Sequence, residues 1–195
     1  MNIMRYILPL LLVIFILFAL FSRKKPFESE RRRAGRLGEE KATEDIKRVL
    51  RKEDHILTNV KVSYEGRPAE FDNIVVNKYG VFIIEVKSYK GRLYGTEDDY
   101  EWEKFKDDNY GNTFEKNVKN PIRQVKRQVY ILAKYLNRKG VDVWVEGYAY
   151  MLYGNSPIKS EYMLKDLKDI DRVIHSSSKK YLTSNEIDRI LKTLK

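Results

Sequence analysis

The chain has 195 residues and a formal net charge of +10, from 38 Lys+Arg against 28 Asp+Glu, with 43% hydrophobic residues. That is enough apolar content for one domain with a real core, and the charge favours a polyanionic partner, either nucleic acid or an anionic membrane face. The absence of cysteine excludes disulfides and thiolate metal sites, and two histidines, His55 and His175, are too few for a His-rich zinc centre, so a metal here should be held by carboxylates.

Residues 6–21 carry no charge, and with residues 2–5 able to snorkel the stretch reaches the ~20 residues a spanning helix needs. The pattern predicts a single-pass transmembrane anchor over residues 1–22, embedded through residues 3–22. A cleaved signal peptide is the alternative, because Arg5 precedes the run, but the small-x-small cleavage pattern is missing around residues 19–22. Arg23, Lys24, Lys25 and residues 31–33, all arginine, follow the span against Arg5 before it. Positive charge stays inside, so the N-terminus is expected outside and the domain in the cytoplasm. Residues 23–34 read as a basic juxtamembrane linker able to sit on anionic lipid.

From residue 35 to about 51, Leu37, Ala42, Ile46, Val49 and Leu50 recur at helical spacing, with Glu39, Glu40, Glu44 and Asp45 on other faces, which predicts the first helix. Residues 56–62 alternate as a strand, residues 64–68 form a turn, and residues 70–77 complete a hairpin. Residues 81–86 are a continuous apolar run, the mark of a central strand buried on both faces. A short strand follows at residues 91–95. Residues 96–117 read as an irregular or short-stranded excursion held by Tyr100, Trp102, Phe105, Tyr110 and Phe114. Asn120-Pro121 opens a helix that ends near Gly140. Residues 141–153 alternate with apolar groups on both faces, so helices should cover both. Residues 165–175 and 183–194 read as helices, the second with a Thr183-x-x-Glu186 capping box. The order predicts an α/β fold, a central mixed β-sheet flanked by helices with one crossover helix.

Asp72 and the run Glu85-Val86-Lys87 do not suit an ordinary buried strand, because burying charge is costly without a partner or a metal. Hydrolysis of a phosphodiester needs an activated water, neutralised charge on phosphorus and help for the departing oxygen. Mg²⁺, or Mn²⁺ in its place, bound by Asp72 and Glu85 would act as a Lewis acid, with the Val86 carbonyl as a natural extra ligand. Lys87 lies two residues beyond Glu85 and therefore on the same strand face, where it could orient or deprotonate the water and stabilise developing charge. The bland alternatives are a solvent-facing Asp72, a Lys87 that only pairs with Glu85, and His55 and His175 as ordinary surface or loop residues. Lys116, Lys119, Arg123, Lys126 and Arg127 add a basic stretch, and Tyr89, Tyr94, Tyr100, Trp102 and Tyr110 add rings able to stack on bases. A solvated helix face with hydrophobic loop anchors is the competing reading.

An acid, twelve intervening residues and Glu-x-Lys at a strand end resemble the PD-(D/E)XK nuclease superfamily. More narrowly, Gly35-x-x-Gly38-Glu39, Phe71-Asp72-Asn73-Ile74-Val75-Val76, Gly80 to Lys87, Lys90-Gly91 and Asn120-Pro121-x-x-Gln124, in this order, resemble the nuclease-related domain (NERD) over roughly residues 35–153. The resemblance implies a restriction-endonuclease-like domain over residues 35–195, with its motif-bearing core in residues 35–153. It implies a metal-dependent nuclease that hydrolyses phosphodiester bonds, which the N-terminal span would anchor to a membrane, and DNA rather than RNA as its nucleic-acid partner rests on the resemblance alone. Asp72 and Glu85 match the metal ligands and Lys87 the catalytic lysine. Glu39 matches the helix carboxylate that joins the metal site, and Gln124 the glutamine that helps hold it. Phe71 stands where the superfamily's name has proline, with Pro68 four residues before Asp72. The alternative is a catalytically inactive nucleic-acid-binding or membrane-associated scaffold that retains the fold; a broken acid-acid-lysine set would favour it, and here the set is intact.

Overall fold

A computed structural model of the chain describes residues 29–108, 110–176 and 181–195. The predicted span over residues 1–22 and linker residues 23–28 lie outside the described residues, among which no helix is long and apolar enough to cross a membrane. Helix α1 covers Glu30–Lys47, so it starts five residues before the predicted Gly35 and takes in the last linker residues. The Ser29 hydroxyl accepts the Arg32 N–H at 3.4 Å, and residues 30–34 contain no helix breaker.

The predicted hairpin is present as β1 (His55–Tyr64) and β2 (Arg67–Asn77). Its two-residue turn has positive φ at both Glu65 (49°) and Gly66 (72°), the geometry that matches the twist of paired strands. Strand β3 (Gly80–Lys87) pairs antiparallel with β2. Helix α2 (Pro121–Arg138) then crosses over to β7 (Val145–Met151), which runs parallel to β3, and the two-residue β8 (Met163–Leu164) pairs parallel with β7. The order β1-β2-β3-β7-β8 makes β3 the middle strand, as its apolar run predicts, and the sheet is mixed. Strand β7 starts at Val145 rather than at residue 141, because Val145 already pairs with Val81 and β3 offers no earlier residue than Gly80 as a partner.

Two helices cover each face. Ile131, Leu132 and Leu136 of α2 and Ile187, Ile190 and Leu194 of α4 (Ser184–Leu194) cover Val76, Val81 and Ile83. Ala42 and Ile46 of α1 and Ile170, Val173 and Ile174 of α3 (Leu167–His175) cover Val75, Phe82 and Ile84. The caps follow the sequence. The Asn120 side chain accepts the Ile122 N–H ahead of Pro121, and Thr183 and Glu186 form the reciprocal capping box.

The excursion after β3 is more regular than expected. Strands β4 (Arg92–Tyr94), β5 (Glu101–Asp107) and β6 (Thr113–Lys119) form a second, three-stranded antiparallel sheet. Its buried Leu93, Trp102 and Val118 pack on Ile122 and Val125 of α2 and on Ala149 and Met151 of β7. Trp102 donates its indole N–H to the Thr96 carbonyl at 2.7 Å, and Asn120 Nδ2 donates to the carbonyls of Thr96, Glu97 and Asp99. The loop before β5 is thereby tied to the start of α2. His175 is also a correction. Its side chain is 4% exposed, with Nδ1 2.6 Å from Asp171 and Nε2 2.8 Å from Asp54. It joins the end of α3 to the loop before β1, whereas His55 is exposed.

Candidate active site

Strands β2 and β3 part where the acids begin. Their last pair is Asn73↔Ile84, and beyond it the Asp72 carboxylate replaces the main chain as acceptor of the Val86 N–H, at 2.7 Å. A residue's N–H and C=O leave an extended strand on the same edge, so the Val86 carbonyl also points to the Asp72 side. The neighbouring Lys87 carbonyl faces the other way and accepts the Leu152 N–H at 3.0 Å.

Asp72 owes its placement to a change of face in the hairpin. Ala69 and Phe71 lie under α2 and α4, yet Val75, which shares their parity, lies under α1 and α3. On β1, Ile56 and Val60 are split in the same way. The ladder runs from Thr58↔Asn73 to Val60↔Phe71 without the intervening pair, and Asn59 has φ 54°, a left-handed conformation that asparagine tolerates better than most residues. Irregularities of this kind re-aim side chains. Here the side chain is that of Asp72.

Glu85 and Lys87 share the α2 face of β3, as their spacing requires. Lys87 Nζ donates to Glu85 Oε1 at 2.6 Å, and the two side chains are 13% and 5% exposed. Helix α2 supplies the remaining donors. Gln124 Nε2 donates to Glu85 Oε1, and Gln128 Nε2 donates to Glu85 Oε2 at 2.7 Å and to the Glu70 carbonyl at 2.8 Å. The close approach of α2 depends on Gly147, where a Cβ would sit 2.6 Å from methyl groups of Val125 and Val129. Gln128 is absent from the sequence-based set. Its signal was its spacing, one helical turn beyond Gln124 and so on the same face.

Glu39 reaches the group from α1. A cleft of ≈ 420 Å³ is lined by Glu39, Thr43, Thr58, Asn59 and Asp72 among others. The helix passes close because residue 38 is glycine: a Cβ there would stand 2.8 Å from the Ser88 Cβ, whereas at Gly35 it would meet nothing within 4 Å. Thr43 donates its hydroxyl proton to Asn73 Oδ1 at 2.8 Å and ties α1 to β2 beside Asp72.

The electrostatics are those of several acids sharing one low-dielectric place. Burial and then the Glu85 carboxylate push the Asp72 carboxyl up to about 7, against the lowering effect of the Val86 N–H. Burial and then Glu85 also raise Glu39. Burial pulls the Lys87 amine down, but the negative groups beside it, Glu85 foremost, outweigh that, and its pKa lies above the ordinary lysine value. Among the described residues no three carboxylate or imidazole groups converge on one point. The donors nearby, Asp72, Glu85, Glu39 and the Val86 carbonyl, are hard oxygens of the kind that suits a divalent cation, but they do not converge into a formed metal site. Gln128 Oε1 is buried and lacks a donor among the described residues.

A family model of the nuclease-related domain matches residues 34–152. The chain belongs to the nuclease-related domain family. It is also 36% identical over 83 residues to an uncharacterised protein of Bacillus anthracis, a match that covers 38% of this chain and 39% of that protein. No solved structure matches the chain. The matched stretch of this NERD chain runs from the residue before Gly35 to the residue after Met151 at the end of β7, and all six acidic, lysine and glutamine positions expected or found at the site lie inside it.

The predicted basic stretch divides between two elements. On α2, Arg123, Lys126 and Arg127 line a groove of ≈ 780 Å³ with Tyr100, Lys119, Gln124 and Gln128. These cations have partners within the chain. Lys126 pairs with Glu97 at 2.7 Å, Arg123 stacks 5.4 Å from the Tyr100 ring centre, and Arg127 donates to the Pro68 carbonyl at 3.1 Å. Lys116 and Lys119 belong to β6.

Proposed function

We propose that this chain is a metal-dependent nuclease of restriction-endonuclease-like fold that hydrolyses phosphodiester bonds in DNA, anchored to a membrane by residues 1–22 with residues 35–195 on the cytoplasmic side. The observation that carries the reading is the buried Glu85–Lys87 pair beside a second acid, Asp72, whose carboxyl is pushed up to about 7. A fold seldom gathers that much unfavourable charge without a use for it.

Asp72 and Glu85, with Glu39 and the Val86 carbonyl, would hold Mg²⁺ or Mn²⁺, which when bound supplies Lewis acidity and a lowered pKa for its water. The remaining chemistry belongs to the chain. The raised pKa of Lys87 favours a protonated amine at neutral pH, which suits it to neutralise charge on the phosphoryl oxygens more than to remove a proton. Gln124 and Gln128 together bond both Glu85 oxygens and fix the plane of that carboxylate. Glu39, raised by burial and by Glu85, would hold a proton or a water in the cleft that it lines with Asp72.

The test is incubation of the full chain, in a zwitterionic detergent, with linear, circular and single-stranded DNA and Mg²⁺ or Mn²⁺, beside Lys87→Ala and Asp72→Ala. Cleavage by the unaltered chain and its loss in both variants is expected. No cleavage, or cleavage that survives both substitutions, sinks the reading. The anchor is tested separately: the chain should sediment with membranes and be released by detergent but not by high salt.

A further inference from the structure

Deepening the nuclease reading, on which it rests, we infer that the outer half of the β4–β5–β6 sheet, on the face turned toward the body of the domain, carries a single nucleic-acid strand to the Glu85–Lys87 site. Side-chain parity sorts the charges of this sheet. The pairs Trp102↔Val118, Lys104↔Lys116 and Lys106↔Phe114, with Leu93↔Lys104, place these residues on one face. The opposite face holds Glu101, Glu103, Asp107 and Glu115 along with Arg92 and Lys119. One face thus has three lysines and no acid, and the other has four acids against two basic residues.

The buried Leu93, Trp102 and Val118 identify the lysine face as the one that packs on α2 and β7. Lys104, Lys106, Lys116 and Phe114 continue that face outward from the packed base. Its link to the site is Tyr89, two residues beyond Lys87, which packs on the same cluster and has Lys104 Nζ 5.9 Å above its ring.

The arrangement is costly for the folded sheet by itself. Lys104 and Lys116 stand directly across from one another, and like charges so placed repel. Lys106 and Lys116 are exposed and make no ion pair among the described residues, unlike Lys126 of α2. A phosphate backbone laid along this face neutralises the repulsion. Phe114, 59% exposed and opposite Lys106, offers its ring to a base, and only an unpaired base has a free π-face to stack on it. A single strand satisfies both features.

The test measures binding of a fluorescein-labelled single strand and of a duplex of the same length by anisotropy, in EDTA, over a KCl series. It uses the full chain in zwitterionic detergent, the variant Lys106→Glu/Lys116→Glu, and Lys168→Glu/Lys192→Glu on α3 and α4 as a control with the same change in net charge. The sheet variant should bind the single strand about tenfold or more weakly, with the slope of log K against log salt reduced by about 1.4, and the control should keep the original slope. Phe114→Ala should weaken the single strand about tenfold and the duplex little. Equal loss in sheet variant and control overturns the inference, as does unchanged binding. If the unaltered chain cleaves while the sheet variant binds as before, the strand path fails and the nuclease reading stands. If binding follows this face but no cleavage occurs, the strand path stands and the nuclease reading fails.

Discussion

Replacing Asp72 by asparagine should make the metal-free chain more stable at alkaline pH while abolishing cleavage. Burial and then Glu85 raise the Asp72 carboxyl from 3.8 to about 7. Between those values the folded chain holds a proton that the unfolded chain has released. Stability is therefore fully present below the unfolded value and is lost as pH rises through the folded one. At ~1.4 kcal/mol per pH unit the whole interval amounts to ~4 kcal/mol, an upper value, since Asp72 is only partly enclosed and shares its charge with Glu85 and Lys87; a loss of ~1–3 kcal/mol is expected. Asparagine stays neutral and its Oδ1 still accepts the Val86 N–H, so the substitution removes the charge and keeps the bond. Urea denaturation in EDTA at about pH 5 and about pH 8 reads the effect: the variant should gain on the unaltered chain by clearly more at the higher pH than at the lower, where only the first part of the loss has accrued. Adding Mg²⁺ at the higher pH should then stabilise the unaltered chain and leave the variant unmoved. The reasoning is refuted if Asp72→Asn is no more stable in EDTA at the higher pH, or if the difference between the two chains does not depend on pH.

The two glycines of the first motif should respond with opposite signs. Gly38→Ala puts a Cβ 2.8 Å from the Ser88 Cβ and should cost about 1–3 kcal/mol, whereas Gly35→Ala, with nothing within 4 Å, should gain ~0.5–1 kcal/mol from helix propensity; thermal denaturation of the pair decides it. Gln128→Leu deprives Glu85 Oε2 and the Glu70 carbonyl of their shared donor and should cost about 1–3 kcal/mol, with kcat lowered and the Kd for DNA unchanged in EDTA; unchanged kcat in a folded variant would remove Gln128 from the site. His175→Ala leaves Asp54, 4% exposed at its side chain, with the Arg51 N–H but without the imidazole, and should cost about 1–3 kcal/mol in urea denaturation near neutral pH.

The sequence by itself determined what depends on neighbours along the chain. Glu85 and Lys87 meet because residues two apart on a strand share a face, and Asn120, Pro121, Thr183 and Glu186 cap their helices because capping is completed within one turn. The central place of β3 was legible from its unbroken apolar run, and the family motifs were legible as a string. Tertiary packing decided the rest. Asp72 reaches the Val86 N–H only because β2 and β3 part after Asn73↔Ile84 and the hairpin changes face near Asn59. Gln128 becomes a partner of Glu85, 43 positions away, only once α2 settles on Gly147. His175 looked ordinary because its contact with Asp54 spans 121 positions. The two charge faces of the small sheet likewise required the register of β5 against β6. Periodicity and caps are short-range and can be read along the chain, whereas which acid faces which donor is fixed only when whole elements have packed.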